Sequence, residues 1–466
     1  MKRGIYWFRD DLRLRDNPGL IEAVKHGLVL PVYILDSQAS PKLGEASRCW
    51  LHHALLSLND DLNQHLLVMQ GAPADVLLQL VTKHNIHAVF WNKRYTQAAI
   101  KQDAEIEQAL RAKQVTVQVE AGNLLWEPRR ILNQAQKPYR VFTPYYKKGC
   151  LNAAAPELPK SKPTGIQYIK VDAKPIESLK LLPQKTWHTS MLSEWQIGEK
   201  AAQKVLAEFI ESGLQQYAEG RNHPAIPAVS RLSPYLQFGQ ISIRDVWHAV
   251  IKQKHTNHVE TFLSELGWRE FSHYLLYHFP DLPKKNFNAK FDAFPWTKDK
   301  ARLKAWQQGM TGYPLVDAGM RELWQTGYMH NRIRMVTASF LVKNLLIHWY
   351  EGEQWFWDCL LDASLASNSA SWQWVAGSGA DAAPYFRIFN PVTQGEKFDA
   401  EGAYVKQYIP ELKHLPIKYL FAPWNAPKAV LEEASIVLGQ DYPKPIVDLA
   451  YSRQRALEAY QIIRSS

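Results

Sequence analysis

The sequence predicts two folded parts, an N-terminal Rossmann-like α/β domain built on a doubly wound parallel sheet and an all-α C-terminal domain. Three observations support this division. Short β-branched runs alternate with amphipathic stretches over residues 1–126, proline and lysine accumulate over residues 127–195, and the hydrophobic period is helical over residues 196–466. We therefore expect an α/β domain, an interdomain linker and a helical domain with these boundaries.

Five apolar runs account for the predicted sheet. They are GIYWF, LVLPVYILD, HLLVMQG, IHAVFWN and VTVQVEAG, and amphipathic stretches such as residues 46–63 separate them. Strands that alternate with helices pair in a parallel sheet with helices packed on its faces. No GxGxxG follows a strand and no GxxxxGK[ST] occurs, so this half contains neither a dinucleotide fingerprint nor a P-loop.

Helical periodicity dominates the second half. Ile197, Val205, Phe209 and Ile210 lie on one stripe, and the pattern from about Glu322 to Trp349 predicts one long helix. Prolines and lysines before residue 196 are typical of a connecting segment on the surface.

Composition limits the class of protein. Hydrophobic residues make up 46% and charged residues 21% of the 466 residues, as in soluble globular proteins, and no apolar run is long enough to cross a bilayer. No secretory signal is present at the N-terminus, so we expect a cytoplasmic protein. The three cysteines lie far apart, without metal-ligand spacing, and we expect reduced thiols and no metal site.

Charge and tryptophan content hint at the ligands. The net charge of +10 suits a polyanionic partner, although a basic protein without such a partner explains it equally well. Seventeen tryptophans suggest stacking on bases or on a flat cofactor, or electron transfer, in addition to core packing.

Two segments of the helical half carry polar side chains near predicted helices. Ser230, Arg231 and Ser233 precede a proline-initiated helix, which suits either phosphate binding or ordinary helix capping. Glu265 and Trp268 lie three residues apart on one helix face, with Arg269 beside them. That face suits a flat ligand that forms hydrogen bonds, but a surface ion pair beside a half-buried tryptophan would look the same.

Two later segments are also unusual for a helical core. Asn331, Arg334 and Met335 share a face of an otherwise apolar helix, and a buried Arg334 needs a partner, for which Asp362 is a candidate. The stretch from residue 361 to 399 is rich in small residues, which permit close approach to a planar ligand. Its GSGADA string follows no strand and therefore does not indicate a nucleotide loop.

Motifs along nearly the whole chain resemble the photolyase and cryptochrome family. They are WFRDDLRLRDNPGL, SRLSPYLQFG, ELGWREF, TGYPLVDAGMRELWQTGYMHNRIRMVTASFLVKNLL and ASNSASWQWVAGSGADAAPYFRIFNP. Within the family the chain is similar to bacterial cyclobutane pyrimidine dimer photolyases, and the last motif indicates the class III branch close to plant cryptochromes. The resemblance implies an antenna-binding α/β domain, a helical FAD-binding domain and light-driven repair of pyrimidine dimers in DNA.

The resemblance also implies a set of FAD-contacting positions, with Arg334 and Asp362 as an ion pair beside the flavin and Asn368 facing its N5 atom. Val229 and Ser364 depart from the family, whose other members often have Thr and Asp there. The implied FAD-binding residues are Tyr217, Val229, Ser230, Arg231, Leu232, Ser233, Arg334, Asp362, Ala363, Ser364 and Asn368.

For the flipped-out dimer, the resemblance implies a pocket in which excited reduced FAD gives an electron to the lesion. The pocket residues are Glu265, Trp268, Asn331, Met335 and Trp374. The implied DNA contacts are Arg221, Arg269, Arg332 and Gln394. The implied electron-transfer chain to the flavin is Trp296, Trp349 and Trp372.

The antenna chromophore and two rival functions remain open. Ala99 stands where some members have an acid that binds 5,10-methenyltetrahydrofolate, so we expect folate held differently, with a deazaflavin as second choice. A cryptochrome-like photoreceptor often carries a long C-terminal extension, whereas this sequence stops about 70 residues after Gln394 and leads us to expect no disordered tail. A (6-4) photolyase would have histidines in place of Asn331 and Met335. We expect a monomer that binds dimer-containing DNA and no membrane.

Overall fold

The computed structural model describes residues 2–385 and 387–465, which form two compact units. Unit 1 comprises Met1–Thr189, Glu194–Gln215 and Ser230–Pro280. Unit 2 comprises Ser190–Ser193, Gln216–Val229 and Asp281–Ser466. This division follows packing and is not a test of the predicted boundaries at residues 126 and 195, which remain a prediction.

A five-stranded parallel sheet forms the centre of unit 1, and each of the five apolar runs supplies one strand, as predicted. The strand order is β3-β2-β1-β4-β5. Ile5 of the central strand pairs with Leu30 on one side and Val89 on the other, and all three are fully buried. The strands are β1 Arg3–Phe8, β2 Leu28–Asp36, β3 Leu67–Gly71, β4 Ala88–Asn92 and β5 Thr116–Glu120.

Helices connect and cover these strands. The first begins with Pro18 after Asn17, whose side chain accepts a hydrogen bond from the Leu20 N–H and so caps the helix. The four helices are α1 Pro18–His26, α2 Glu45–Asp61, α3 Pro73–His84 and α4 Gln97–Ala112. This alternation confirms the predicted doubly wound α/β fold.

The chain from residue 196 onward is helical, also as predicted, with short 3₁₀ and π-helical turns between the α-helices, whereas residues 121–186 contain only short 3₁₀ and π-helical turns. The remaining α-helices among the described residues are α5 Trp187–Leu192, α6 Glu199–Glu208, α7 Tyr217–Gly220, α8 Ser233–Gln237, α9 Ile243–Ile251, α10 Asn257–His278, α11 Lys300–Gln307, α12 Pro314–Thr326, α13 Asn331–Ser339, α14 Trp349–Cys359, α15 Leu365–Ala376, α16 Pro391–Phe398, α17 Ala403–Tyr408, α18 Ile417–Leu420, α19 Lys428–Glu433 and α20 Leu449–Ser465.

The prediction of one long helix from Glu322 to Trp349 is wrong. Helix α12 ends at Gly327, which adopts a left-handed φ of 65° and donates its N–H to the Leu323 carbonyl. His330 then caps the start of α13, and a π-helical turn at Phe340–Asn344 follows before α14. The apolar pattern continues across these breaks because α12, α13 and α14 all bury side chains in the same core.

That core fills unit 2 and includes large aromatic side chains. Trp306, Trp349 and Trp372 are at most 2% exposed. All three cysteines of the chain are free and buried. Among the described residues, no helix is long and apolar enough to span a membrane.

Candidate functional site

In unit 1, helix α10 carries Glu265, Trp268 and Arg269, as the sequence predicted. The Trp268 indole stacks on Phe142, with ring centroids 3.9 Å apart and planes 11° from parallel. This contact fixes the plane of Trp268 and leaves the residue half-buried. No motif marked Phe142, because its role depends on a contact between segments far apart in sequence.

Arg269 forms a buried ion pair with its neighbour Glu270. Its guanidinium donates to Glu270 Oε1 at 2.8 Å and to the Asn123 carbonyl at 3.1 Å. Glu270 also accepts the Leu125 N–H at 2.8 Å, and burial raises the pKa of this carboxyl group to about 7. Arg269 therefore has a structural role inside unit 1, and its contact with DNA remains a prediction.

The loop from Ser230 to Ser233 also belongs to unit 1. Arg231 has a left-handed φ of 51° and places its guanidinium 4.2 Å from the Trp195 ring centroid. Ser230 Oγ accepts the Leu232 N–H at 3.4 Å. Helix α8 starts at Ser233 without a side-chain cap, so the serines do not cap it.

In unit 2, Arg334 and Asp362 form the predicted ion pair. Arg334 donates both terminal nitrogens to the carboxylate, at 2.8 and 3.2 Å, and its Nε–H to the Met329 carbonyl. Burial opposes the charge on Arg334, but the Asp362 carboxylate more than compensates, and the pKa of the guanidinium lies above its usual value. The side chain of Asp362 is only 4% exposed, so this carboxylate depends on Arg334 as its counterion.

His330 positions the start of α13, which carries Asn331, Arg334 and Met335. Its Nδ1 atom accepts the Arg332 N–H at 3.3 Å. Burial, with the nearby Arg332 and Arg334, lowers the pKa of His330 to about 3, so the ring stays neutral. Asn331 is exposed and Met335 half-buried at this helix start. His330 was not predicted from the sequence. Its position directly before the predicted helical face that begins at Asn331 is the signal that could have identified it as the N-cap.

Helix α15 carries Asn368, one of the residues predicted to contact FAD. Asn368 donates its amide N–H to the Glu353 carbonyl at 2.9 Å, while Ser369 donates its hydroxyl to the Glu353 carboxylate at 2.9 Å. Among the described residues, nothing donates to the Asn368 amide oxygen. The Ser364 hydroxyl caps this helix by accepting a hydrogen bond from the Ser367 N–H. Ser364 therefore has a structural role at the start of α15. Glu353 was not predicted from the sequence.

The three predicted electron-transfer tryptophans also lie in unit 2. Trp296 and Trp349 both flank His348, with ring centroids 5.0 and 5.3 Å from its ring. Trp372 packs over Gly352, one helical turn after Trp349, where a Cβ atom would come within 2.1 Å of the indole. Glycine at this position therefore permits the indole to lie directly against α14.

The remaining predicted residues lie on helices or in the loops between them. The Arg221 guanidinium lies 5.6 Å from the Tyr217 ring centroid. Arg332 donates to Asn222 Oδ1 at 2.5 Å and lies over the Phe398 ring. Three further predicted residues are half-buried: Val229, Trp374 and Gln394. The buried positions are Tyr217 of unit 2, Leu232 of unit 1 and Ala363 of unit 2.

Comparison with known proteins identifies the family. Residues 4–163 match the family model for DNA photolyase, and residues 262–462 match the model for the FAD binding domain of DNA photolyase. The chain is 46% identical to the deoxyribodipyrimidine photo-lyase of Agrobacterium fabrum, over 99% of this chain and 98% of that protein. The chain belongs to the DNA photolyase family.

Structure and sequence agree on the branch within the DNA photolyase family. The crystal structure of a class III photolyase from Agrobacterium tumefaciens superposes with a TM-score of 0.96 at 46% identity, covering 100% of this chain and 98% of that one. Cryptochrome-2 of Arabidopsis thaliana is 37% identical over 100% of this chain and 80% of its own length. The predicted family, fold class and resemblance to plant cryptochromes are thus confirmed.

The residues of unit 2 fit FAD, the cofactor of this family. A flavin ring needs hydrogen-bonding groups in a fixed plane and a counterion for its charged forms. The Arg334–Asp362 pair and the unoccupied acceptor of Asn368 provide such groups, and Ala363 and Ser364 add little bulk beside them. The individual contacts predicted for FAD, the lesion and DNA remain predictions.

Proposed function

We propose that the protein is a deoxyribodipyrimidine photo-lyase, a carbon–carbon lyase that uses light to split cyclobutane pyrimidine dimers in DNA. The observation that carries this proposal is the buried Arg334–Asp362 pair on the same unit as Asn368, in a chain that belongs to the photolyase family. Asn at position 368 is the residue expected for repair, whereas plant cryptochromes typically have Asp.

The residues of the chain would place a fixed positive charge and a fixed hydrogen-bond acceptor beside the cofactor. Bound reduced FAD supplies, on excitation, the electron that opens the dimer. Arg334 keeps a positive charge fixed at the site, because Asp362 raises its pKa and binds both terminal nitrogens. Asn368 is oriented by Glu353, so its amide oxygen has a defined position. Tyr217, residues 229–233, Ala363 and Ser364 complete the proposed FAD-binding set.

The lesion would be held by stacking and by one strengthening hydrogen bond. Damaged bases leave the duplex at lower cost than intact ones, and a flipped dimer needs flat apolar surfaces to replace its lost stacking. Trp268 and Trp374 are proposed to supply these surfaces, with Asn331 and Met335 lining the pocket. Glu265 would form a hydrogen bond with the base edge, and such a bond strengthens as the base becomes anionic when the side chain is the donor, which is how binding accelerates chemistry.

DNA binding would rest on cations that contact phosphates. Arg221, Arg269 and Arg332 are the proposed cationic contacts, with the neutral Gln394 as a further proposed DNA contact, and the net charge of +10 adds general attraction. We infer a monomer that binds dimer-containing DNA, in the cytoplasm.

For the antenna we favour 5,10-methenyltetrahydrofolate, with a deazaflavin as the second candidate. Ala99 is buried in the first turn of α4, where its N–H donates to Thr96 Oγ1 at 3.2 Å. This position therefore supplies no carboxylate to a folate, which must be bound through other residues. The absorption spectrum of the chromophore released from the native protein distinguishes the two.

A cryptochrome-like photoreceptor is the second candidate, favoured by the 37% identity with Cryptochrome-2 of Arabidopsis thaliana. A (6-4) photolyase is less well supported, because Asn331 and Met335 stand where two histidines are needed. Repair assays with the two kinds of lesion separate these functions.

The direct test is repair of a thymine-dimer oligonucleotide by purified protein, after reduction and illumination. We expect a yellow protein that restores the dimer to two thymines, and Glu265→Ala should lower the yield per absorbed photon more than it weakens binding. Glu265→Gln is the matched control, because it keeps the size and one hydrogen bond of the side chain. Colourless protein, or intact dimers after illumination of flavin-loaded protein, would refute the proposed function.

A further inference from the structure

Arg332 is a cation of unit 2 that has no carboxylate partner. Two residues further along the same helix, Arg334 forms a buried ion pair with Asp362. By contrast, no described carboxylate lies within ion-pairing distance of the Arg332 guanidinium. This side chain is nevertheless half-buried, and burial, with the nearby Arg221, lowers the pKa of its guanidinium. A half-buried cation without a counterion is unfavourable in the free protein, so this position favours the binding of an anion.

Two neutral groups hold this guanidinium in place. Its Nη2 atom donates a hydrogen bond to Asn222 Oδ1. Its central carbon lies 4.4 Å from the ring centroid of Phe398, within the distance at which a guanidinium is attracted to the face of an aromatic ring. Neither Asn222 nor Phe398 carries a charge that could neutralise Arg332. Together they restrict the rotation of the side chain and leave its full positive charge available to a ligand.

The Phe398 ring is itself held by contacts within unit 2. His223 donates its Nδ1–H to the Phe398 carbonyl at 3.2 Å, because a carbonyl oxygen can only accept. The His223 ring also meets the Phe398 ring edge to face, with centroids 5.8 Å apart and planes 71° from parallel. Phe398 is the last residue of α16, in which Gln394, another proposed DNA contact, lies four residues earlier and on the same helix face. Phe398 therefore gives Arg332 a fixed surface on a helix that carries a second proposed contact.

Several donors of the Arg332 guanidinium have no acceptor. Among the described residues, only the N–H group that bonds to Asn222 has one. The Nε–H is buried without an acceptor, so the terminal nitrogens are the ones that a ligand reaches. Parallel N–H groups of a guanidinium match the oxygens of a phosphate, in a geometry that lysine does not reproduce. Phosphate is the anion that the proposed DNA substrate supplies along its backbone.

We propose that Phe398 and Asn222 are positioning residues, which hold the Arg332 guanidinium in the orientation that binds one backbone phosphate of the DNA. The proposal rests on the proposed DNA contact of Arg332 and extends it to two residues that touch no phosphate themselves. A guanidinium that is ordered before the DNA arrives loses less side-chain entropy on binding, and this raises the affinity. The phosphate also supplies the counterion that Arg332 lacks in the free protein.

The first test measures binding of flavin-loaded protein in the dark, by fluorescence anisotropy of a labelled double-stranded oligonucleotide that contains one thymine dimer. Phe398→Leu removes the aromatic face but keeps an apolar side chain, and should raise the Kd about threefold to tenfold. Asn222→Ala should raise the Kd about threefold. Phe398→Tyr is the matched control, because it keeps the aromatic face, and its Kd should stay within about twofold of the parent value. A parent-like Kd for both Phe398→Leu and Asn222→Ala overturns the proposal.

A double-mutant cycle separates positioning from a general effect on the fold. Arg332→Ala should raise the Kd about tenfold, and should reduce the slope of log Kd against log salt by about 0.9, the value for one lost phosphate contact. Phe398→Leu should then have almost no further effect in the Arg332→Ala protein, because it acts only through Arg332. Additive effects of the two substitutions, or an unchanged Kd of Arg332→Ala, overturn the proposal. If Phe398→Leu does not fold, Asn222→Ala takes its place in the cycle.

Cofactor content and repair identify which phosphate Arg332 binds. FAD also contains phosphates, so the ratio of flavin to protein absorbance and the repair yield are measured for Phe398→Leu. We expect parent-like flavin content, a raised half-saturating concentration of dimer-containing DNA and an unchanged yield per absorbed photon at saturation. Loss of FAD with an unchanged Kd for DNA assigns the phosphate to the cofactor and overturns the proposal. Failure of the parent protein to repair dimers refutes the photolyase function instead, since DNA binding is measured in the dark.

Discussion

Two regions of unit 2 are built in opposite ways. The ion-pair cluster, comprising Arg334, Asp362, Asn368 and Glu353, is held by directional hydrogen bonds between buried polar groups. The aromatic row, comprising Trp296, His348, Trp349 and Trp372, is held mainly by ring contacts and shape. We therefore expect the ion-pair cluster to be intolerant of losing one partner, and the aromatic row to tolerate changes that keep its aromatic volume.

The largest expected effect is in the ion-pair cluster. Asp362→Ala leaves Arg334, whose side chain is 25% exposed, without its counterion. Breaking such a pair should lower the free energy of unfolding by about 3 kcal/mol, and FAD should be lost during purification. Urea unfolding and the ratio of flavin to protein absorbance measure the two effects.

Asp362→Asn is the matched control, because it keeps the shape and one acceptor. It should lose less stability than Asp362→Ala, while weakening FAD retention through the lost charge. Equal stability of the parent and Asp362→Ala would show that the ion-pair cluster is no more sensitive than the aromatic row.

Lys343 is a buried charged residue that packs against an aromatic ring. Lys343 is 1% exposed, donates to the Arg387 carbonyl at 2.8 Å and lies over the Tyr385 ring. Burial, with the nearby Arg387, lowers the pKa of Lys343 to about 7, against about 10.4 in an unfolded chain. Between these values the unfolded chain binds the extra proton, so the contribution of Lys343 to stability rises with pH.

Lys343→Met should therefore be more stable than the parent by about 1–4 kcal/mol near pH 6, because it removes a buried charge that has no acidic partner. The difference should shrink as the pH rises from about 7 to above about 10.4, where Lys343 is neutral in both the folded and the unfolded chain. Chemical denaturation at several pH values measures this. If the free energy of unfolding changes with pH in parallel for the two proteins, Lys343 has the same pKa in the folded and the unfolded chain, and the prediction is wrong.

The smallest expected change in stability is in the aromatic row. Trp372→Phe keeps most of the buried aromatic surface and should cost about 1 kcal/mol. It should nevertheless abolish photoreduction of oxidised FAD, because phenylalanine is too hard to oxidise to act as a relay. Repair by already reduced protein should stay near the parent level, since the electron that opens the dimer does not pass through this row.

Two assays check this variant, the rate of flavin reduction under blue light and the repair yield after chemical reduction. Photoreduction at the parent rate would assign Trp372 to packing alone. Loss of both activities would indicate damage to the cofactor site, and Trp372→Tyr then provides an oxidisable control of similar volume.

Several features could be predicted from the sequence because they depend on local pattern. Each of the five apolar runs became a strand of one parallel sheet, since β-branched runs and amphipathic helices alternate along the chain. Glu265 and Trp268 share a helix, and Asn331 shares one with Arg334 and Met335, because spacings of three and four residues place side chains on one helical face. The need of Arg334 for a buried partner also followed from charge alone.

Features that depend on contacts between segments distant in sequence could not be predicted from local pattern. The helix expected from Glu322 to Trp349 breaks at Gly327, because the core accepts apolar faces from two helices as readily as from one. Phe142 stacks on Trp268, and Glu353 orients Asn368, through contacts that no local pattern encodes. Sequence periodicity specifies which face of a helix is buried, but the neighbour that covers this face is chosen by packing of the whole chain.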